Sequence, residues 1–350
     1  MEVFYAPAVR QSSILHTLAF LICLGFLRMS ACAASVPTID EMLSYLNIDP
    51  AERADILSGE IVSREVGEGS KNELAIGMAM FVPVPLDKIV GAVKTETLLG
   101  RDPEVRAYGE MFFTETRASL PPKIYGLKDA DEVDNLLDAG SGSQFNLDHS
   151  EIDAFHQLQA NVRDPSKRPE EASNLYWQLA RKRFEAYFKG GIAAVAPYDR
   201  GDGDRAKPGE ELTLALKESK ILATYFPELQ KALLEFPQSQ PEGMVHRFFW
   251  INQKIENRPT FILSHRIKYI RPEGALLAER QYYAGHSYNS MQILAGCIPM
   301  QGGTIVFYSN RTFTDQVAGF ASGMKHSIGR GRMRNEIVKG FKEIRAAAAR

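Results

Sequence analysis

The chain changes its hydrophobic period twice, and this constrains its fold more than any other feature. Residues 60–82 read as extended runs, 101–236 as mostly helical, and 246–309 as extended again. Apolar residues at i, i+3, i+4 and i+7 bury one stripe of a helix, whereas strict alternation buries one face of a strand. A chain that begins in strands, passes through helices and returns to strands is of the α+β class, with a sheet assembled from both ends.

The first extended runs, Glu60 to Val66 and Glu73 to Val82, are joined by Gly67-Glu68-Gly69-Ser70 and predict a hairpin. Pro83 and Pro85 stop the second run, so Leu86 to Thr95 predicts a helix with Pro85 at its first turn. Upstream, Thr38 caps a short helix with Ile39, Met42, Leu43 and Leu46 on one face, and a second short helix ends at Gly59. In the middle segment Asp148 and Glu151 form a capping-box pattern ahead of Ile152, Phe155 and Leu158. A longer helix from Pro169 carries Tyr176, Ala180, Phe184, Tyr187 and Phe188 as core and stops at Gly190-Gly191.

After a linker from Pro237 to Pro241, His246 to Ile255 pairs with Phe261 to Ile270, in which Phe261, Leu263, His265, Ile267 and Tyr269 share one face. Ala278 to Cys297 reads as one long strand bent at Gly285, and Gly303 to Ser309 as the next. One helix closes the chain, from Lys325 or Arg332 to Arg345, with Met333, Ile337, Phe341 and Ile344 as its apolar stripe.

The first residues read as an address. Arg10, the apolar run Ile14 to Leu27 and the small residues Ala31-Cys32-Ala33-Ala34 make a secretory signal peptide cut after Ala33 or Ala34. The run is short for a membrane span. Export to a periplasm or to the outside follows, and Ser30-Ala31-Cys32 leaves open a lipoprotein anchored through Cys32. Once residues 1–34 are removed, Cys297 is the single cysteine, so no intramolecular disulfide forms. With Lys+Arg 41 against Asp+Glu 43, no basic excess drives counterion release, which disfavours a nucleic-acid partner.

The order strand pair, helix, helical stretch, antiparallel strands and terminal helix resembles the START-like, or helix-grip (SRPBCC), superfamily. The resemblance rests on Glu73 to Val82 with Pro83, Pro85 and Leu86-Asp87-Lys88-Ile89-Val90, and on the strands from His246 with the helix ending near Arg345. It implies a curved antiparallel sheet around the long C-terminal helix, with a mostly helical insertion and a cavity that takes a lipid-like or other apolar molecule. It divides the exported chain into N-terminal helices (35–59), a first part of the core (60–100), the insertion (101–236) and a second part of the core (237–350). Tyr282-Tyr283-Ala284-Gly285-His286-Ser287-Tyr288-Asn289, with Ser309-Asn310-Arg311, is also similar to a group of exported bacterial proteins that have no assigned activity.

Candidate ligand-binding residues are Tyr282, Tyr283, His286, Tyr288 and Asn289, which offer aromatic surface with polar tips, and Arg311 as an anion anchor. On a regular strand Tyr282, His286 and Tyr288 face one way and Tyr283, Ser287 and Asn289 the other, unless the bend at Gly285 shifts them. The alternatives are an envelope hydrolase, with Ser287 in a G-x-S pattern and His286 or His326 as its base, and a scaffold whose helical segment binds a protein. No histidine or cysteine spacing marks a metal site, and Asp199, Asp202, Asp204 and Glu210 fit an exposed turn better than a calcium loop. No glycine-rich phosphate loop follows a strand, so no cofactor is expected. Lys339, Lys342 and Arg345 among other cations on the terminal helix are compatible with contact at an anionic membrane surface.

Overall fold

The computed structural model describes residues 38–92, 102–113, 124–126, 129–271, 274–318 and 322–348. The leader reading, with Cys32, Ala33 and Ala34, lies outside the described residues, as does the stretch of the Leu86 helix beyond Ala92.

Helix α1 (Ile39–Tyr45) opens on a reciprocal capping box between Thr38 and Glu41, and α2 (Arg53–Leu57) follows. β1 (Val62–Glu65) and β2 (Glu73–Val82) form the expected hairpin, and α3 (Leu86–Ala92) starts directly after Pro85. β3 (Val105–Met111) is a correction, since the segment from Arg101 reads as helical and this piece is a strand paired with a later one. Its seven residues are too few for a helical stripe to show, and Val105, Tyr108 and Met111 suit a half-buried pleat.

The insertion proper therefore runs from after β3. It contains α4 (Ala130–Leu137), α5 (His149–Asn161), α6 (Arg168–Gly190), a small hairpin of β4 (Tyr198–Gly201) and β5 (Asp204–Ala206), then α7 (Pro208–Lys217), α8 (Lys220–Tyr225) and α9 (Pro227–Glu235). Asp202 (φ 52°) and Gly203 (φ 82°) supply the two left-handed positions of a two-residue hairpin turn, which accounts for the aspartates here. α6 stops at Gly191, whose φ is 61° and whose Cβ would lie 1.8 Å from the Phe236 carbonyl oxygen.

The second half gives β6 (Met244–Ile255), β7 (Arg258–Arg271), β8 (Gly274–Ala284), β9 (Ser290–Met300) and β10 (Gly303–Phe313), closed by α10 (Ser322–Ala348). The run from Ala278 to Cys297 is thus two strands. Residues 285–289 form their connection, because Ser287 adopts φ 71° and cannot continue a ladder.

Eight strands form one curved antiparallel sheet in the order β1-β2-β10-β9-β8-β7-β6-β3. The first and last halves of the chain meet where β2 pairs with β10. The helical insertion packs on one face, against Phe248, Phe261, Leu263, Ile267, Tyr282 and Phe307. On the other face α3 and α10 cover Ile76, Met78, Met80, Val82 and Val306 through Ile89, Ile337 and Phe341. Coverage on both sides explains why β2 is apolar almost throughout and not alternating.

Candidate functional site

The two faces differ in how completely they are covered. Along β9 the residues facing the insertion, from Ser290 to Ile298 in steps of two, are buried. Those between them, Met291, Ile293, Ala295 and Cys297, are apolar yet only half-buried. They face the α10 side, where that helix lies over β2 and leaves β8 and β9 partly open. Ala275 and Leu277 of β8 share this exposure, and small side chains at 275 and 295 keep the space unfilled. The result is a shallow apolar cleft of about 80 Å³ between Ile89 and Val90 of α3 and the pleat of β7 to β10, with Lys268 as the charged group among its walls. Burial pushes the Cys297 thiol up to about 12, so it lines the cleft as a neutral group.

Further along the same face, beyond the residues that line the cleft, the buried side chains turn polar. Ser264 Oγ and Gln281 Nε2 each donate to Glu279 Oε1 at 3.0 Å. Arg266 Nε stands 2.8 Å from Glu279 Oε2, an ion pair that is not aligned as a hydrogen bond. The guanidinium groups of Arg247 and Arg266 lie 5.0 and 5.5 Å from the centre of the Phe249 ring. Sequence reasoning missed Arg266, Glu279 and Gln281. Their signal was a polar or charged residue recurring every second position, as in Ser264, Arg266 and Lys268, alternating with Leu263, His265 and Ile267.

The residues singled out from sequence do not converge on this cleft. A bulge sets Tyr282 as the extra residue between Gln281 and Tyr283, so both tyrosines turn to the insertion and not to opposite faces. Tyr282 stacks on Tyr187 at 3.9 Å, its hydroxyl buried without a hydrogen-bond partner among the described residues. Tyr283 shares a 2.6 Å hydrogen bond with Tyr176 and receives the Arg183 guanidinium 4.6 Å above its ring. Arg183 in turn is held by Glu151, both side chains being buried. Tyr288 alone reaches the polar end of the α10 face, donating to Gln281 Oε1.

His286 is buried in the β8–β9 connection, with Nε2 2.9 Å from Thr260 Oγ1 and Nδ1 2.7 Å from Ser287 Oγ. Burial first, then the charge of Arg258, lower its pKa to about 4. Asn289 accepts from Arg200 at 3.0 Å and donates to Glu211 at 2.9 Å, inside a network that also holds Asp315. Burial raises the pKa of Glu211. Arg311 is committed to the buried Glu73 and to the Gly67 carbonyl, which leaves it no role as a mouth anchor. His326 lies 3.1 Å from Glu68 through one ring nitrogen and 3.0 Å from the Lys71 carbonyl through the other, so it is spent and does not serve Ser287.

No family model, curated protein or solved structure matches this chain.

Beneath the insertion lies a second polar row that the sequence did not reveal. Arg280 donates to Tyr187 Oη at 2.9 Å and to the Leu233 carbonyl at 2.7 Å. Tyr187 Oη meets His265 Nδ1 at 2.8 Å, and His265 Nε2 meets His246 Nδ1 at 3.0 Å. Burial, then Arg280 and His246, hold His265 well below the ordinary histidine range.

Proposed function

We propose that the chain binds an apolar, lipid-like small molecule in the cleft between α3 and strands β7 to β10, without chemistry. One observation carries this reading: β9 shows apolar side chains on both faces, and one of those faces is left half-open. An exposed apolar groove of this kind raises free energy unless something covers it. The helix-grip reading of the fold is supported by the strand order, in which β2, the second strand of the first core part, neighbours the last strand, β10, with one helix after each. Export through the N-terminal leader is part of the same proposal, since an envelope protein meets lipids in transit.

Cys297 makes the reading testable, because its thiol lines the cleft. Modification of Cys297 by dithiodipyridine, followed by peptide mapping of the full chain, is expected to slow at least fivefold with one of oleate, a diacylglycerol or a sterol. Ala295→Leu, which fills the groove, is expected to slow it without any ligand. An unchanged rate with all three probes rejects the proposal.

A second reading rests on the Ser287 hydroxyl, 2.7 Å from His286 Nδ1 in a left-handed turn that holds the serine outward. In this reading Ser287 Oγ, which donates to Glu256 at 3.0 Å in the resting structure, attacks an ester carbonyl as His286 takes its proton, and the C–O bond breaks to leave an acyl-serine and an alcohol that receives that proton. A wild-type activity on p-nitrophenyl butyrate that is unchanged in Ser287→Ala excludes it.

A further inference from the structure

Four large apolar side chains stand exposed at one end of the sheet. β3 finishes there, β6 begins there, and β7 turns into β8, as the pairings Met111↔Phe248 and Met244↔Tyr269 require. Phe112 is 47% exposed, Phe113 43%, Val245 54% and Ile270 49%. They come from three separate chain segments, so their gathering is a property of the fold and not of a local run. Ile270 also lines the mouth of the cleft, and Val245 is the direct cross-strand neighbour of Lys268, its one charged wall.

Cations accompany them. Lys189 Nζ sits 5.2 Å from the centre of the Phe113 ring, and Arg271 stacks on Tyr269 at 4.7 Å beside Ile270. On the same margin Glu242, just before β6, and Asp87 in the first turn of α3 are exposed acids among the described residues, while Glu110 is paired with Arg247. Aromatic and aliphatic tips set among lysine and arginine match the boundary of an anionic bilayer, where rings rest at headgroup depth and long cationic stems reach phosphates.

We propose that this margin of the sheet docks on an anionic lipid bilayer and brings the mouth of the cleft against the membrane. The proposal rests on the cleft being the ligand site, and it adds where that ligand enters. Docking through Val245 and Ile270 places the opening beside the acyl chains, so an apolar molecule transfers without crossing water.

The test is positional and uses the full chain. Tryptophan is placed by Val245→Trp or Ile270→Trp, with Ser166→Trp as the control just before the far end of α6, about 35 Å from Lys189 at the helical rise. Quenching by brominated phosphatidylcholine is read in vesicles with and without phosphatidylglycerol, after subtraction of the wild-type signal from Trp177 and Trp250. Residues 1–37 contain no tryptophan, so attachment through the leader leaves the readout silent. Quenching at 245 and 270 is expected to exceed that at 166 at least twofold in phosphatidylglycerol vesicles, and Lys268→Gln with Arg271→Gln is expected to halve it. Equal quenching at all three positions, or equal quenching in pure phosphatidylcholine, overturns the proposal. Ligand protection of Cys297 measured without vesicles separates the two ideas: protection without quenching at 245 and 270 leaves the cleft standing and removes the docking edge.

Discussion

His286 and His265 show what burial does to single residues. Each ring is kept neutral because a charge there loses water and meets Arg258 or Arg280. Between an ordinary value of 6.5 and the folded value the unfolded chain takes up a proton that the folded chain refuses. Stability is therefore full above pH 6.5 and falls as pH drops through the folded values, by about 3 kcal/mol for His286 once pH reaches about 4. Urea titrations from pH 8 to 4 are expected to show this decline, and His286→Gln is expected to flatten it. Glu151 tests the opposite case of a buried charge that keeps its partner. Glu151→Gln strands the Arg183 guanidinium over Tyr283 and is expected to cost about 3 to 5 kcal/mol in the same titration at pH 7, whereas Glu151→Leu with Arg183→Leu is expected to recover much of the loss. None of these partnerships was legible in the sequence. Glu151 showed only as a capping residue, and Arg183 lies among other charges of a long helix, so their meeting depends on tertiary packing.

At the scale of elements, periodicity identified most of the strands and helices and missed their irregularities. Phe261 to Tyr269 share a face as their alternation demands, and Thr38, Asp148 and Gly191 end helices where their chemistry places them. The bulge at Tyr282 left no trace, because two adjacent tyrosines alternate as well as any pair, and it alone turns both rings toward the insertion. β3 was too short to show its period. Gly285 explains why the strand must end where it does: a Cβ there would stand 2.5 Å from the Tyr176 hydroxyl. Gly285→Ala is expected to break the Tyr176–Tyr283 hydrogen bond and cost about 1 to 3 kcal/mol, read by denaturant unfolding and by loss of near-ultraviolet tyrosine dichroism.

Across the whole molecule, the α+β class was legible because strands at both ends of a chain must pair with one another if neither end forms a sheet alone. The cleft was not legible, since residue 293 and its neighbours look like ordinary core until the position of α10 shows which face lacks a cover. The insertion is tied to the sheet by Arg200, which joins Asp315, Asn146, Asn289 and the Gly142 carbonyl. Arg200→Met is expected to loosen this clasp and raise the rate of proteolysis within residues 138–146 severalfold before the sheet unfolds. The row beneath the insertion has a direction as well as a location. Arginine only donates, so Tyr187 accepts from Arg280 and passes its own proton toward His265, whose Nε2–H then points to His246. Polarised in this sense, the row aims its hydrogens from the buried Arg280 toward the half-buried His246, so removing any one member leaves its neighbour a buried donor or acceptor without that partner.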